Sequence, residues 1–133
     1  MRTENLYKLA EELGVKVDFF PLPEAKSLSV QMDDRFFVAI DPNAIGSLSA
    51  ERVCLAHELG HCRTGSFYNI HAPLDNRLKH EHRANKWAIN RLVPIDELRR
   101  AVKNGCSDIG SLAEHFSVTE EFIGDALKFY TEN

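Results

Sequence analysis

Apolar residues recur along this chain in two different periods, and the periods divide it into elements. Leu6, Tyr7, Leu9, Ala10 and Leu13 fall at helical spacing, which predicts a helix over Glu4–Leu13 with Gly14 beyond its end as a left-handed C′ residue. Val15, Val17 and Phe19 then alternate, predicting a strand that Pro21 and Pro23 stop. Leu28-Ser29-Val30-Gln31 and Phe36-Phe37-Val38-Ala39-Ile40 predict a β-hairpin around Asp33-Asp34, closed by Asp41-Pro42-Asn43. Helical spacing returns in Val53, Leu55, Ala56 and Leu59, behind Ser49 as the expected N-cap and Ala50 and Glu51 in the first turn. Gly65 to Asn76 reads as a loop, and Arg77 to Leu92 as a second long helix. With Pro94 at N1, Ile95, Leu98, Ala101 and Val102 form a short amphipathic helix ending near Gly105. Ile109 to Tyr130 reads as a helix pair, the first ending near Phe116 and the second capped by Thr119 after a Ser-Val-Thr turn. The expectation is an α+β fold in a single domain, 1–133, with a small sheet packed on the helices and a helical subregion from about residue 94.

Composition narrows the class. The chain has 133 residues and 44% apolar content, enough for one core, although its helices must supply much of it. Twenty acidic residues against sixteen Lys and Arg leave a net charge of −4, which argues against a broad nucleic-acid surface. The C-terminal pair has helix-turn-helix spacing, yet its second helix begins Glu120-Glu121 and carries Asp125, with Lys128 its only clear cation. Those acids suit a helix N-terminus and repel a phosphate backbone, so the pair reads as structural or protein-contacting. No apolar run approaches the roughly 20 residues needed to span a bilayer, and Met1-Arg2-Thr3-Glu4 opens no signal peptide, so a cytoplasmic protein is expected. Cys54, Cys62 and Cys106 are an odd set without C-x-x-C spacing. Cys54 and Cys62 would stand about 12 Å apart along one helix, out of disulfide reach, so reduced and mostly buried thiols are expected.

The candidate chemistry is in His57-Glu58-Leu59-Gly60-His61. Residues four apart on an α-helix return to one face, so both imidazoles aim at a single point. Zinc accepts such nitrogens, and Glu58 beside them can serve a zinc-bound water as general base. A surface helix with two solvated histidines is the plain alternative. Gly60 inside the motif costs about 1 kcal/mol of helix propensity, and a bare backbone there lets another element pack close behind the metal.

A catalytic zinc needs a third protein ligand and an open position. Glu81 lies on the second long helix with Asn85 four residues later on the same face. Asn85 can accept a hydrogen bond from a ligand histidine and hold its ring, and Ala84 and Ala88 are small enough for a close approach between helices. His80 and His82 flank Glu81 but point about 100° away from it, and His71 in the loop is a further candidate. Glu81 is favoured because Asn85, four positions on, can act as the orienter. Cys54 is not assigned, since a fourth protein ligand would close the open position. Tyr68 and His71 could face an oxyanion, but packing or exposure explains each as well, and neither is assigned.

L-A-H-E-L-G-H at 55–61, E-H-R-A-N-K-W-A at 81–88 and R-L-V-P at 91–94 together resemble the ImmA/IrrE-type metallopeptidases. Glu81, Ala84, Asn85, Trp87 and Ala88 match the second block of that family's pattern, and Leu92, Val93 and Pro94 match its end. Arg83 stands where the family often has an acid, two residues from Glu81 and facing elsewhere. The H-C-R-T-G-S-F-Y-N stretch after the motif looks like the small phage-associated branch. The resemblance implies a zincin-like fold and a zinc endopeptidase of a phage or mobile element, whose partner is a helix-turn-helix repressor that it cleaves.

The expected site is therefore His57, His61 and Glu81 as zinc ligands, Asn85 behind them, and Glu58 assisting attack of zinc-bound water on a peptide carbonyl. Manganese or iron also suit two histidines and a carboxylate. Two other classes stay open: a non-cleaving antirepressor or binding module with a structural zinc, and a DNA-binding regulator with an incidental metal site.

Overall fold

The computed structural model describes residues 3–67 and 72–132, and in it the two periods resolve into six helices and three strands. Helix α1, Thr3–Glu12, stops where Gly14 takes a φ of 73°, a conformation with no Cβ penalty for glycine. Strand β1, Val15–Phe19, follows at once. Strands β2, Ser27–Met32, and β3, Arg35–Ile40, form the expected hairpin, with Asp33 left-handed at the turn at φ 56°.

The sheet is mixed and ordered β1-β3-β2. β1 runs parallel to β3 with Val17 opposite Val38, and β2 runs antiparallel to β3 with Leu28 opposite Ala39. The inner face carries Val15, Val17, Phe36, Val38 and Ile40, which join Leu6, Ala10, Leu55, Ala56 and Leu59 in the core. On β2 the usual alternation is reversed. Ser27 and Ser29, level with Ile40 and Val38, occupy the inner face, while Val30 and Met32 point out and are 41% and 69% exposed. Ser27 and Ser29 line the cleft described below.

Helix α2, Leu48–Thr64, carries the histidine motif. Its N-cap is Ser47, whose Oγ accepts from the Ala50 N–H at 3.0 Å, so the helix starts two residues before the expected Ser49. It ends at Gly65, φ 67°. Helix α3, Leu74–Leu92, begins three residues before the expected Arg77, directly after Pro73. Pro94 is the N-cap rather than the first turn of α4, Ile95–Lys103. Helices α5, Ile109–Phe116, and α6, Glu120–Thr131, are capped by Asp108 and by Thr119, whose Oγ1 accepts from the Phe122 N–H at 3.1 Å. Leu112, Phe116, Phe122, Ile123 and Ala126 extend the core, and Tyr130 ties α6 to the end of α3 by donating to the Val93 carbonyl at 2.8 Å. No helix among the described residues is long and apolar enough to cross a membrane.

Candidate metal centre

Helices α2 and α3 are held together by a backbone contact. A Cβ on Gly60 would stand 2.6 Å from the Ala84 carbonyl oxygen, closer than non-bonded atoms come. Only glycine permits this approach, and it carries Glu81 across to the two histidines of α2. His57 Nε2 lies 2.7 Å from Glu81 Oε2, His61 Nε2 lies 3.2 Å from Glu81 Oε1, and the two Nε2 atoms are 3.2 Å apart. Each carboxylate oxygen of Glu81 thus faces one imidazole nitrogen, and one donor atom from each of the three side chains lies within 4.8 Å of the others, close enough to share one metal ion.

The outer nitrogens set the rings. His57 Nδ1–H donates to Asn85 Oδ1 at 2.7 Å, as the spacing on α3 predicts. His61 Nδ1–H donates to the Ser66 backbone carbonyl, which is brought back over the ring by the Gly65 turn. A carbonyl can only accept, so His61 is protonated at Nδ1 and turns its Nε2 to the centre. With neutral rings, two nitrogen lone pairs and a carboxylate converge on one point, an arrangement that a cation satisfies. The same environment acts on the proton of His57. Burial lowers its affinity, but contact with Glu81 and the fields of Glu58 and Glu81 outweigh burial and hold His57 above its ordinary 6.5.

Glu58 projects from α2 between this cluster and the sheet and is only 6% exposed. Its Oε2 accepts a hydrogen bond from Ser27 Oγ at 2.7 Å. A cleft of about 500 Å³ opens here, with Leu22, Ser27 and Leu28 on the strand side, Phe67 beside them, and Glu58, His61 and Glu81 at its base. Phe67 is anchored on Phe36, with ring centres 5.9 Å apart.

His57, His61 and Glu81 are the residues among those described whose donor atoms form a possible metal-holding set, and the set suits a divalent metal. His80 and His82 are outside it, His82 lying near Phe129 instead. His71 and Tyr68 fall outside the described residues. Cys54, Cys62 and Cys106 are free thiols. Burial, with Glu58 adding to it, pushes the Cys62 thiol up to about 12, unlike a metal-binding thiolate. Two residues touching the site were not visible from the spacing. Ser66 acts through its carbonyl, which no side chain advertises. Ser27 could have been found only from the register that turns it inward.

An α+β domain with two histidines of an H-E-x-x-H helix and a glutamate of the next helix facing one point defines a metallopeptidase-type architecture. The chain belongs to the Peptidase_M78 family, the IrrE N-terminal-like domain, whose profile matches residues 10–128. No curated protein and no solved structure gives a significant match.

Proposed function

We propose that the protein is a zinc-dependent endopeptidase that cleaves a helix-turn-helix repressor of a phage or mobile element. The observation that carries this reading is the convergence of His57, His61 and Glu81 beside a carboxylate, Glu58, that is not needed to hold the metal. A site meant only for structure has no use for such a group. When bound, zinc lowers the pKa of a coordinated water to about 7 and offsets charge developing on the attacked carbonyl oxygen.

The chain's own residues do the rest. Asn85 and the Ser66 carbonyl hold the two imidazoles in one tautomer and orientation. Glu58 takes the proton from water as its oxygen attacks the carbonyl carbon, then passes a proton to the leaving amine. β2 is an edge strand beside the cleft, and its outer edge can receive an extended peptide by strand addition. The repressor as substrate rests on the resemblance of the two ligand-bearing helices to the ImmA/IrrE-type peptidases. A cytoplasmic location fits the free thiols.

The test is metal content and cleavage for wild type, Glu58→Gln and Glu81→Ala, each incubated with a helix-turn-helix phage repressor. Near one zinc per chain in wild type and Glu58→Gln, less in Glu81→Ala, and cleavage by wild type alone are expected. Full activity of Glu58→Gln would sink the hydrolytic reading. Stable zinc and repressor binding without cleavage would replace it with a binding module.

A further inference from the structure

Ser27 is the first residue of β2, and its place is set by backbone on both sides. It lies level with Ile40 of β3, and the Asp41 N–H donates to the Lys26 carbonyl at 2.8 Å. The Asp41 carboxylate is itself committed, accepting from Leu22 N–H at 3.0 Å and Asn43 N–H at 2.9 Å. Ser27 Oγ therefore comes to Glu58 from a strand position clamped at both neighbours. A serine has one hydroxyl proton, and here it goes to Glu58 Oε2 at 2.7 Å.

We infer that Ser27 is a positioning residue for Glu58. By binding Oε2, it removes the rotation of the carboxylate and leaves Oε1 as the oxygen that takes a proton. The bond also joins the base to the edge strand, so that the strand bordering the cleft and the group that moves the proton keep one spacing. This explains the reversed alternation of β2, where a serine occupies an inner position level with the buried Ile40. Cys54 lies near enough to Ser27 to compete for that proton. Burial holds the Cys54 thiol above its ordinary 9.0, so at neutral pH the sulfur keeps its own proton and leaves that of Ser27 to Glu58.

The inference rests on the metallopeptidase reading and is tested by binding rather than turnover. Acetohydroxamate chelates a metal and carries an acidic proton that needs an acceptor, so its affinity reads the presentation of Glu58. The cobalt-loaded full chain is titrated with acetohydroxamate, following the visible cobalt spectrum, for wild type, Ser27→Ala, Ser27→Thr, Glu58→Ala and the Ser27→Ala/Glu58→Ala double variant. Loss of a charge-assisted hydrogen bond predicts a Kd about tenfold weaker in Ser27→Ala, with cobalt content unchanged. Ser27→Thr, which keeps the hydroxyl, should return within about twofold of wild type, and Ser27→Ala should add nothing once Glu58 is absent. Unchanged affinity in Ser27→Ala, or the same loss with and without Glu58, would overturn the role of Ser27 alone. Wild-type affinity in Glu58→Ala, or no cobalt uptake by wild type, would overturn the reading of the site and this inference with it.

Discussion

Gly60 and Ala84 meet backbone to backbone, and their contact sets the distance across which Glu81 reaches His57 and His61. A methyl group on Gly60 would force α2 and α3 apart, because the atom it meets is a main-chain oxygen with no rotamer to escape into.

Gly60→Ala should therefore act against its helix propensity. In an open helix the change stabilises by about 1 kcal/mol. Here it should destabilise by about 1–3 kcal/mol and weaken metal binding together. Urea unfolding of the metal-free protein and a zinc competition titration measure the two effects. A stabilised Gly60→Ala with wild-type metal affinity would contradict the contact.

Asn85→Ala should keep the fold, since Asn85 is exposed, but leave the His57 ring without its acceptor. Outer partners of metal-bound histidines are worth about 10- to 100-fold in metal affinity. A competition titration should show a loss of that order, and Asn85→Asp, which keeps an acceptor oxygen, should recover much of it.

The clamp at Asp41 predicts an acid-sensitive cleft wall. Backbone N–H donors of Leu22, then Asn43, hold the Asp41 carboxyl below its ordinary 3.8. A carboxylate with a depressed folded pKa contributes stability above its unfolded value and loses it as pH falls through the folded one. Stability should therefore decline below about pH 3.8. The Asp108 cap, held down by Ser111, adds to the same limb. Asp41→Asn should be less stable at pH 7 and show a shallower decline in acid, followed by the fluorescence of Trp87.

Arg52 on α2 is 1% exposed, and its Nε, Nη1 and Nη2 atoms make no hydrogen bond among the described residues. Burial lowers its pKa, the signature of a charge taken from water without compensation. Arg52→Met fills a similar length without charge and should raise stability, because no charge then has to be held out of water. Thermal unfolding decides it, and a fall in Tm would show that the guanidinium is satisfied in solution.

Much of this protein was determined by short-range pattern. Helical and alternating periods place the helices and β1 to within a few residues, because burial of one face demands those periods whatever the partner. β2, by contrast, keeps the alternation with Val30 and Met32 turned outward. The four-residue spacings 57–61 and 81–85 likewise bring His57 and His61 together and put Asn85 on the face of Glu81, since one helix turn is a local quantity. Helix starts were less legible. Ser47 and Ser49 offer the same hydroxyl, and only the folded backbone shows which one meets the Ala50 N–H. What the tertiary structure alone decided are relations between elements: the parallel pairing of β1 with β3, the Ser66 carbonyl over His61, and Ser27 turned inward to Glu58. Each joins a backbone group or a common polar side chain to a partner on another segment. Residue type marks what a group can bind, but its partner depends on how the chain brings the segments together.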